Sequence, residues 1–242
     1  HLDVVAHLGA GGGVFPVDPR LDGGAPVPSE TARMGDIVQV AGDHLRLEDS
    51  GDAPSPIERV DILNGAEVIH TLRPYAPDPT GRLRVIWQGA EYRGRGRTTH
   101  WRGRIAFDRA RIRQMTKINA WNPERTFELR DGREVHFDAV TTGNFGGCDL
   151  WLDGNDGRVS IETGLVSGAF DLAEIDGDET VLDAGGLDRK IRPFRLPEVL
   201  EGCHLSETVR IDRVRGRDNP LWVRVTTEDG FVAWSSPIYV IG

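Results

Sequence analysis

Apolar and polar residues alternate in short runs along most of the chain. That is the period of a β-strand with one buried and one wet face. The runs include "IVQV", "HLRLE", "IERVDIL", "EVIHTL", "RLRVIWQG", "EVHFDAV", "CDLWLD", "RVSIET", "TVRIDRV", "LWVRVTT" and "PIYVI". In "RLRVIW" the alternation sets Arg82 and Arg84 on a solvent face, opposite Leu83 and Val85. Turn residues divide the runs. Asn64-Gly65, Asp131-Gly132 and Asp229-Gly230 each stand between strand-like segments, a strong hairpin signal. Only "FDRARIRQM" admits a short helix, and it reads equally well as strand and turn. The pattern predicts an all-β fold with very little helix, built as an antiparallel, immunoglobulin-like β-sandwich with a second, inserted β-rich unit.

One segment breaks the alternation. After a first strand, "HLDVVAH", residues 9–31 are rich in Gly and Pro and carry little periodicity. They predict a long loop, either a mobile excursion or a segment laid over a neighbour.

Composition is consistent with a folded core: 38% of the 242 residues are hydrophobic and 28% are charged. No run approaches the ~18 apolar residues of a membrane span, so no membrane partner is expected. The first residues lack the basic and apolar regions of a signal peptide. That slightly favours a cytoplasmic setting, and the lack of an initiator Met makes the chain read as starting inside a longer protein. The formal net charge of -9 argues against a nucleic-acid partner. Charge is uneven, however. Residues 82–113 hold ten arginines against Glu91 and Asp108, whereas residues 131–190 hold fourteen acids against four bases. Such blocks face each other as readily as a partner.

Catalytic and metal motifs are missing. The seven histidines are scattered, with no HxH or HExxH, so no metal site is expected in this chain. "DGNDG" at 153–157 lacks the later ligands of a Ca²⁺ loop and reads as a tight hairpin turn. No G-x-S-x-G elbow, phosphate loop or dinucleotide fingerprint occurs. Ser235 and Ser236 read as backbone-bonded serines of the last strand. Cys148 and Cys203 read as two reduced thiols, with a single disulfide as the alternative.

What remains is "GAEYRGRGRTTHWRGR", residues 89–104. In an extended segment, Arg93, Arg95 and Arg97 share one face with ~6.5–7 Å between successive side chains. Tyr92 and Trp101 flank them. Three guanidiniums so placed pair with the acids of 131–190, or stand solvated, or hold an anion or polysaccharide bidentately. Trp87, Tyr92, Trp101, Trp121 and Trp151 sit in polar sequence and are candidate sugar platforms, although large aromatics in a sandwich more often belong to the core.

Several stretches together resemble a known family. "ARMGD", "PIERVDILNG", "RLRVIWQGAEYRGRGRTTHWRG", "NAWNPER", "VTTGNFGGCDLWLD" and "WVRVTTEDGFVAWSSPIYV" are similar to the C-terminal β-rich region of the domain of unknown function 3604 family. The resemblance covers about residues 32–242, and 9–31 reads as an insertion relative to it. Members combine this region with an N-terminal PHP-like metal-dependent hydrolase domain. None of that domain's metal motifs can be matched here. The resemblance therefore implies a non-catalytic accessory module of a hydrolase of unknown substrate, with a PHP-like domain of the same protein as partner. Any divalent metal would belong to that domain. Related tails run directly from an "IERVDILNG"-like hairpin to the last strand. This places 32–115 and 205–242 in one sandwich, after a first strand and loop (1–31), and 116–204 in an inserted β-unit. The alternatives are a carbohydrate- or anion-binding module using the arginine stripe, and a hydrolase whose site converges only in space.

Overall fold

A computed structural model describes residues 1–177 and 180–242. Two of the acids counted above, Asp178 and Glu179, lie outside the described residues. The fold is all-β, with strands in several sheets that, among the described residues, are antiparallel apart from one strand pair. Among the described residues, helix is limited to one α-turn, Pro19–Asp22, and two short 3₁₀ turns. The chain divides into two compact units. One comprises His1–Pro74 with Leu200–Gly242, and the other is Tyr75–Val199.

The first unit opens with β1 (Leu2–His7), β2 (Gly13–Phe15), β3 (Val27–Pro28), β4 (Thr31–Arg33), β5 (Ile37–Gln39), β6 (His44–Asp52), β7 (Ile57–Asn64) and β8 (Glu67–Leu72). The second unit holds β9 (Arg82–Ala90), β10 (Thr99–Phe107), β11 (Ile112–Ile118), β12 (Phe127–Arg130) and β13 (Glu134–Thr141). It continues with β14 (Phe145–Leu152), β15 (Arg158–Thr163), β16 (Ser167–Asp171), β17 (Leu182–Asp183) and β18 (Leu187–Leu196). The chain then returns to the first unit with β19 (His204–Asp212), β20 (Asn219–Thr227), β21 (Val232–Trp234) and β22 (Ile238–Val240).

In the first unit a sheet β19-β6-β1-β4 faces a larger one, β3-β2-β5-β22-β20-β7-β8. β21 shares the β22 edge of β20. Alternation decides the core: Leu45 and Leu47 on β6, Val60 and Ile62 on β7, and Val223 on β20 all point inward and are buried together. "WVRVTT" lies in β20 and pairs with β7 from the first half of the chain. The β7–β8 hairpin closes at Gly65, whose φ of 64° is left-handed.

Residues 9–31 are not a featureless loop. β2 pairs with β3 and β5, and the α-turn is capped by Asp18, which accepts from the Arg20 amide. Arg20 also reaches Asp218 at 2.7 Å. Two- and three-residue strands are too short to show a period, which is why the sequence reads as loop.

The second unit stacks the sheet β11-β14-β9-β18-β17 on β12-β13-β10-β15-β16. Leu83, Val85, Trp87, Trp101, Ile105, Phe137, Cys148 and Ile161 are buried between them. Residues 75–115 belong here, which corrects the boundary expected from sequence. β9 pairs with β14 and β18, and β10 pairs with β13 and β15. Periodicity identifies a strand but not its partner, and these partners lie tens of residues downstream. "FDRARIRQM" is the end of β10, a turn and the start of β11. "DGNDG" connects β14 to β15, strands of different sheets, so it is not a hairpin.

Arg82 and Arg84 are buried, contrary to the wet face expected for them. β9 is the central strand of its sheet and is buried along nearly its whole length. The Arg84 guanidinium donates from Nε and Nη2 to both carboxylate oxygens of Asp149, directly opposite on β14, each at 2.7 Å. Such a paired fork makes a buried charge tolerable. The Arg82 guanidinium lies 5.1 Å from the Trp151 ring.

Candidate functional site

Register brings five connections of the second unit to one end. β9 and β14 pair as Ala90-end to Phe145-start, β10 and β13 as Thr99 to Thr141, β10 and β15 as Gly103 to Thr163, and β9 and β18 as Ala90 to Leu187. The connections 91–98, 119–126, 142–144, 164–166 and 184–186 therefore emerge together. Backbone bonds fasten the 142–144 turn to the base of 91–98: the Gly89 amide donates to the Asn144 carbonyl at 3.1 Å, and the Gly143 amide donates to the Gly89 carbonyl at 3.3 Å.

The arginine segment is a loop and not a strand. Strand β9 stops at Ala90, Gly94–Gly96 form a 3₁₀ turn, and pairing resumes at Thr99. Gly94 has φ of 81°, a left-handed conformation that a strand excludes. Arg93, Arg95 and Arg97 do not form a flat stripe. They are exposed, and none makes an ion pair with the described residues. Their neighbours behave otherwise. Arg84 pairs with Asp149, Arg102 with Asp138 at 2.8 Å, Arg104 with Glu162 at 3.1 Å and Arg113 with Glu198 at 3.0 Å. The downstream acids do meet the arginine-rich block, but not the three glycine-spaced arginines.

The aromatics divide sharply. Tyr92 is exposed beside these arginines. Trp101 is 0% exposed and so cannot present a ring to a ligand; its indole N–H donates to Thr141 Oγ1 at 2.8 Å. The alternation of β10 turns it inward. Trp87 is also core, stacked on Phe137 with centroids 4.4 Å apart and rings within 1° of parallel. Trp151 is half-buried. Trp121, on the 119–126 connection, is 78% exposed.

A cavity of about 230 Å³ opens at this end, lined among others by Trp87, Lys117, Asn119, Trp121, Asn122, Arg125, Phe127, Asp138 and Asn144. Asp138 is held by Arg102 and by Arg125 at 2.7 Å, and the Arg102 hydrogen bond foremost keeps its carboxyl below the ordinary range. Lys117 Nζ sits 5.0 Å from the Phe127 ring centroid. Asn119 adopts φ of 52° and donates from Nδ2 to the Phe145 carbonyl at 3.2 Å, which bends the chain out of β11. The Asn122 and Asn144 side-chain oxygens accept from the Glu124 and Thr142 amides, fixing both carboxamides. Sequence reading passed over Asn119, Asn122, Arg125 and Asn144. The signal was "NAWNPER", a polar, turn-rich stretch with a tryptophan that no strand periodicity accounts for.

Other candidates resolve as structure. Cys148 and Cys203 are free thiols, and burial pushes the Cys148 thiol far up, so it is no nucleophile. Ser235 exchanges backbone and side-chain hydrogen bonds with Val223, each at 2.9 Å, just before β22. Among the described residues no three His, Cys, Asp or Glu side chains are grouped to hold a metal, and no helix is long and apolar enough to cross a membrane. Compared with known proteins, the chain matches no family model, no curated protein and no solved structure.

Proposed function

We propose that the chain is a non-catalytic β-sandwich binding module whose ligand is an acidic polysaccharide. The ligand is received at the loop end of the second unit. The observation that carries this reading is the state of Arg93, Arg95 and Arg97. In a chain of net charge -9, they are exposed and make no ion pair with the described residues, on the loop between β9 and β10. An arginine-rich block in contact with acidic strands would neutralise itself if charge balance were its only purpose. Guanidiniums left without partners are donors for sulfate or carboxylate groups. Glycine on either side of Arg95 lets the three forks turn independently.

The test is retention on a dextran sulfate or polygalacturonate matrix at low ionic strength. The variant R93S/R95S/R97S should bind about tenfold more weakly or worse, with unchanged thermal stability. Equal affinity of variant and parent sinks the reading, and so does equal affinity for single-stranded DNA.

The resemblance of 32–242 to the tail of the domain of unknown function 3604 family supports a second, compatible reading. In it the module accompanies a PHP-like metal-dependent hydrolase domain, which holds any divalent metal and acts on what the module retains. This chain alone should then show no phosphoesterase turnover with Mn²⁺ or Zn²⁺. Turnover abolished by EDTA would overturn that reading.

A further inference from the structure

The cavity beside Trp121 has a chemical bias, because its unused polar groups are donors. Asn122 and Asn144 have committed their oxygens to backbone amides, leaving both NH₂ groups to donate. Lys117 is exposed and has no ion pair with the described residues. Arg125 uses one Nη on Asp138 and retains further N–H groups. The Trp87 indole N–H is buried and finds no acceptor among the described residues, and a buried donor left unmatched is costly. The single carboxylate, Asp138, already accepts from two arginines. The site calls for a ligand rich in acceptors. One wall is an exposed indole face, which suits the C–H face of a ring. At about 230 Å³ the cavity is smaller than the usual drug-sized pocket, so it takes one ring and not an extended molecule.

From this geometry we infer that the cavity binds a single uronic acid residue, a pyranose ring bearing a carboxylate, stacked on Trp121 with its acid group toward Lys117 and Arg125. The inference rests on the proposed polysaccharide reading and deepens it. The cavity selects the sugar, and the arginine loop holds the charge of residues further along the polymer. No bond is made or broken.

The experiment titrates the full chain with D-galacturonate, D-glucuronate and D-glucose, followed by calorimetry and by tryptophan fluorescence. One of the two uronates should bind weakly with a fluorescence change, at least about tenfold more tightly than glucose. W121A and N122A should each lose about tenfold or more. Both positions are exposed, so both variants should keep the parent melting temperature. Absence of uronate binding by the folded chain, or binding unchanged in W121A, overturns the inference. If monosaccharide binding fails while the polymer is still retained through the arginines, the cavity assignment falls and the module reading stands. If the monosaccharide binds through Trp121 while polymer retention ignores the arginines, the loop assignment falls instead.

Discussion

At the scale of the residue, the informative positions are buried polar groups. Asp49 points into the first unit from β6 at 0% exposure, and neither carboxylate oxygen has a hydrogen-bond partner among the described residues. Burial pushes its pKa from 3.8 up to about 7. Between those values the folded state keeps a proton that the unfolded state has lost. Stability therefore falls as pH rises through that window and is lowest above pH 7. Three pH units correspond to on the order of 4 kcal/mol. Asp49→Asn should raise the melting temperature clearly at pH 8 and hardly at pH 4. A gain of the same size at both would show that the carboxylate is solvated. Alternation in "HLRLE" assigns Leu45 and Leu47 inward and extends to Asp49, so its position was legible from sequence. Its isolation was not, because that depends on strands β1 and β19. The same holds for Trp101. The period of β10 sends it inward, but an expectation that groups residues by sequence proximity put it beside Tyr92.

At the scale of the element, most strands were readable and their partners were not. The Asp131-Gly132 hairpin was readable because both residues have positive φ, 51° and 66°, a conformation that Asp and Gly tolerate best. β9 was misread as one-sided because arginine is ordinarily a surface residue. Asp149, its partner 65 residues away, makes burial possible, and no local pattern shows that. Tightly fitted glycines mark where strands approach closely. A Cβ at Gly103 in β10 would lie 2.0 Å from the Glu162 carbonyl oxygen of β15, a backbone atom that cannot step aside. Gly103→Ala should therefore cost about 2 kcal/mol or more in urea denaturation. A loss below about 0.5 kcal/mol would mean that the two strands separate easily. The arginine loop was misread for a different reason. Glycine at alternate positions imitates a strand period while favouring turns, and the left-handed Gly94 resolves the ambiguity.

At the scale of the molecule, the two ends of the chain complete one sandwich. β22 lies between β5 and β20 in the larger sheet of the first unit, paired parallel to β5 and antiparallel to β20. Truncation after Ser236 removes this strand and exposes Val38 and Leu221 of the first core. The shortened chain should lose the cooperative melting of the first unit, seen as a fall in β-signal by circular dichroism. Retention of the full signal would show that β22 is dispensable. The second unit has a different consequence. Apart from Lys117 at the end of β11, the residues proposed for recognition stand on the connections 91–98, 119–126 and 142–144, while the register of the strands beneath is set by pairing elsewhere. The 142–144 turn and the base of 91–98 are tied by backbone bonds, whereas the exposed side chains of each connection can change without disturbing that tie. On the proposed binding reading, a lineage carrying this scaffold can revise its ligand preference by exchanging loop side chains, in the way an antibody domain varies its loops over an unchanging frame.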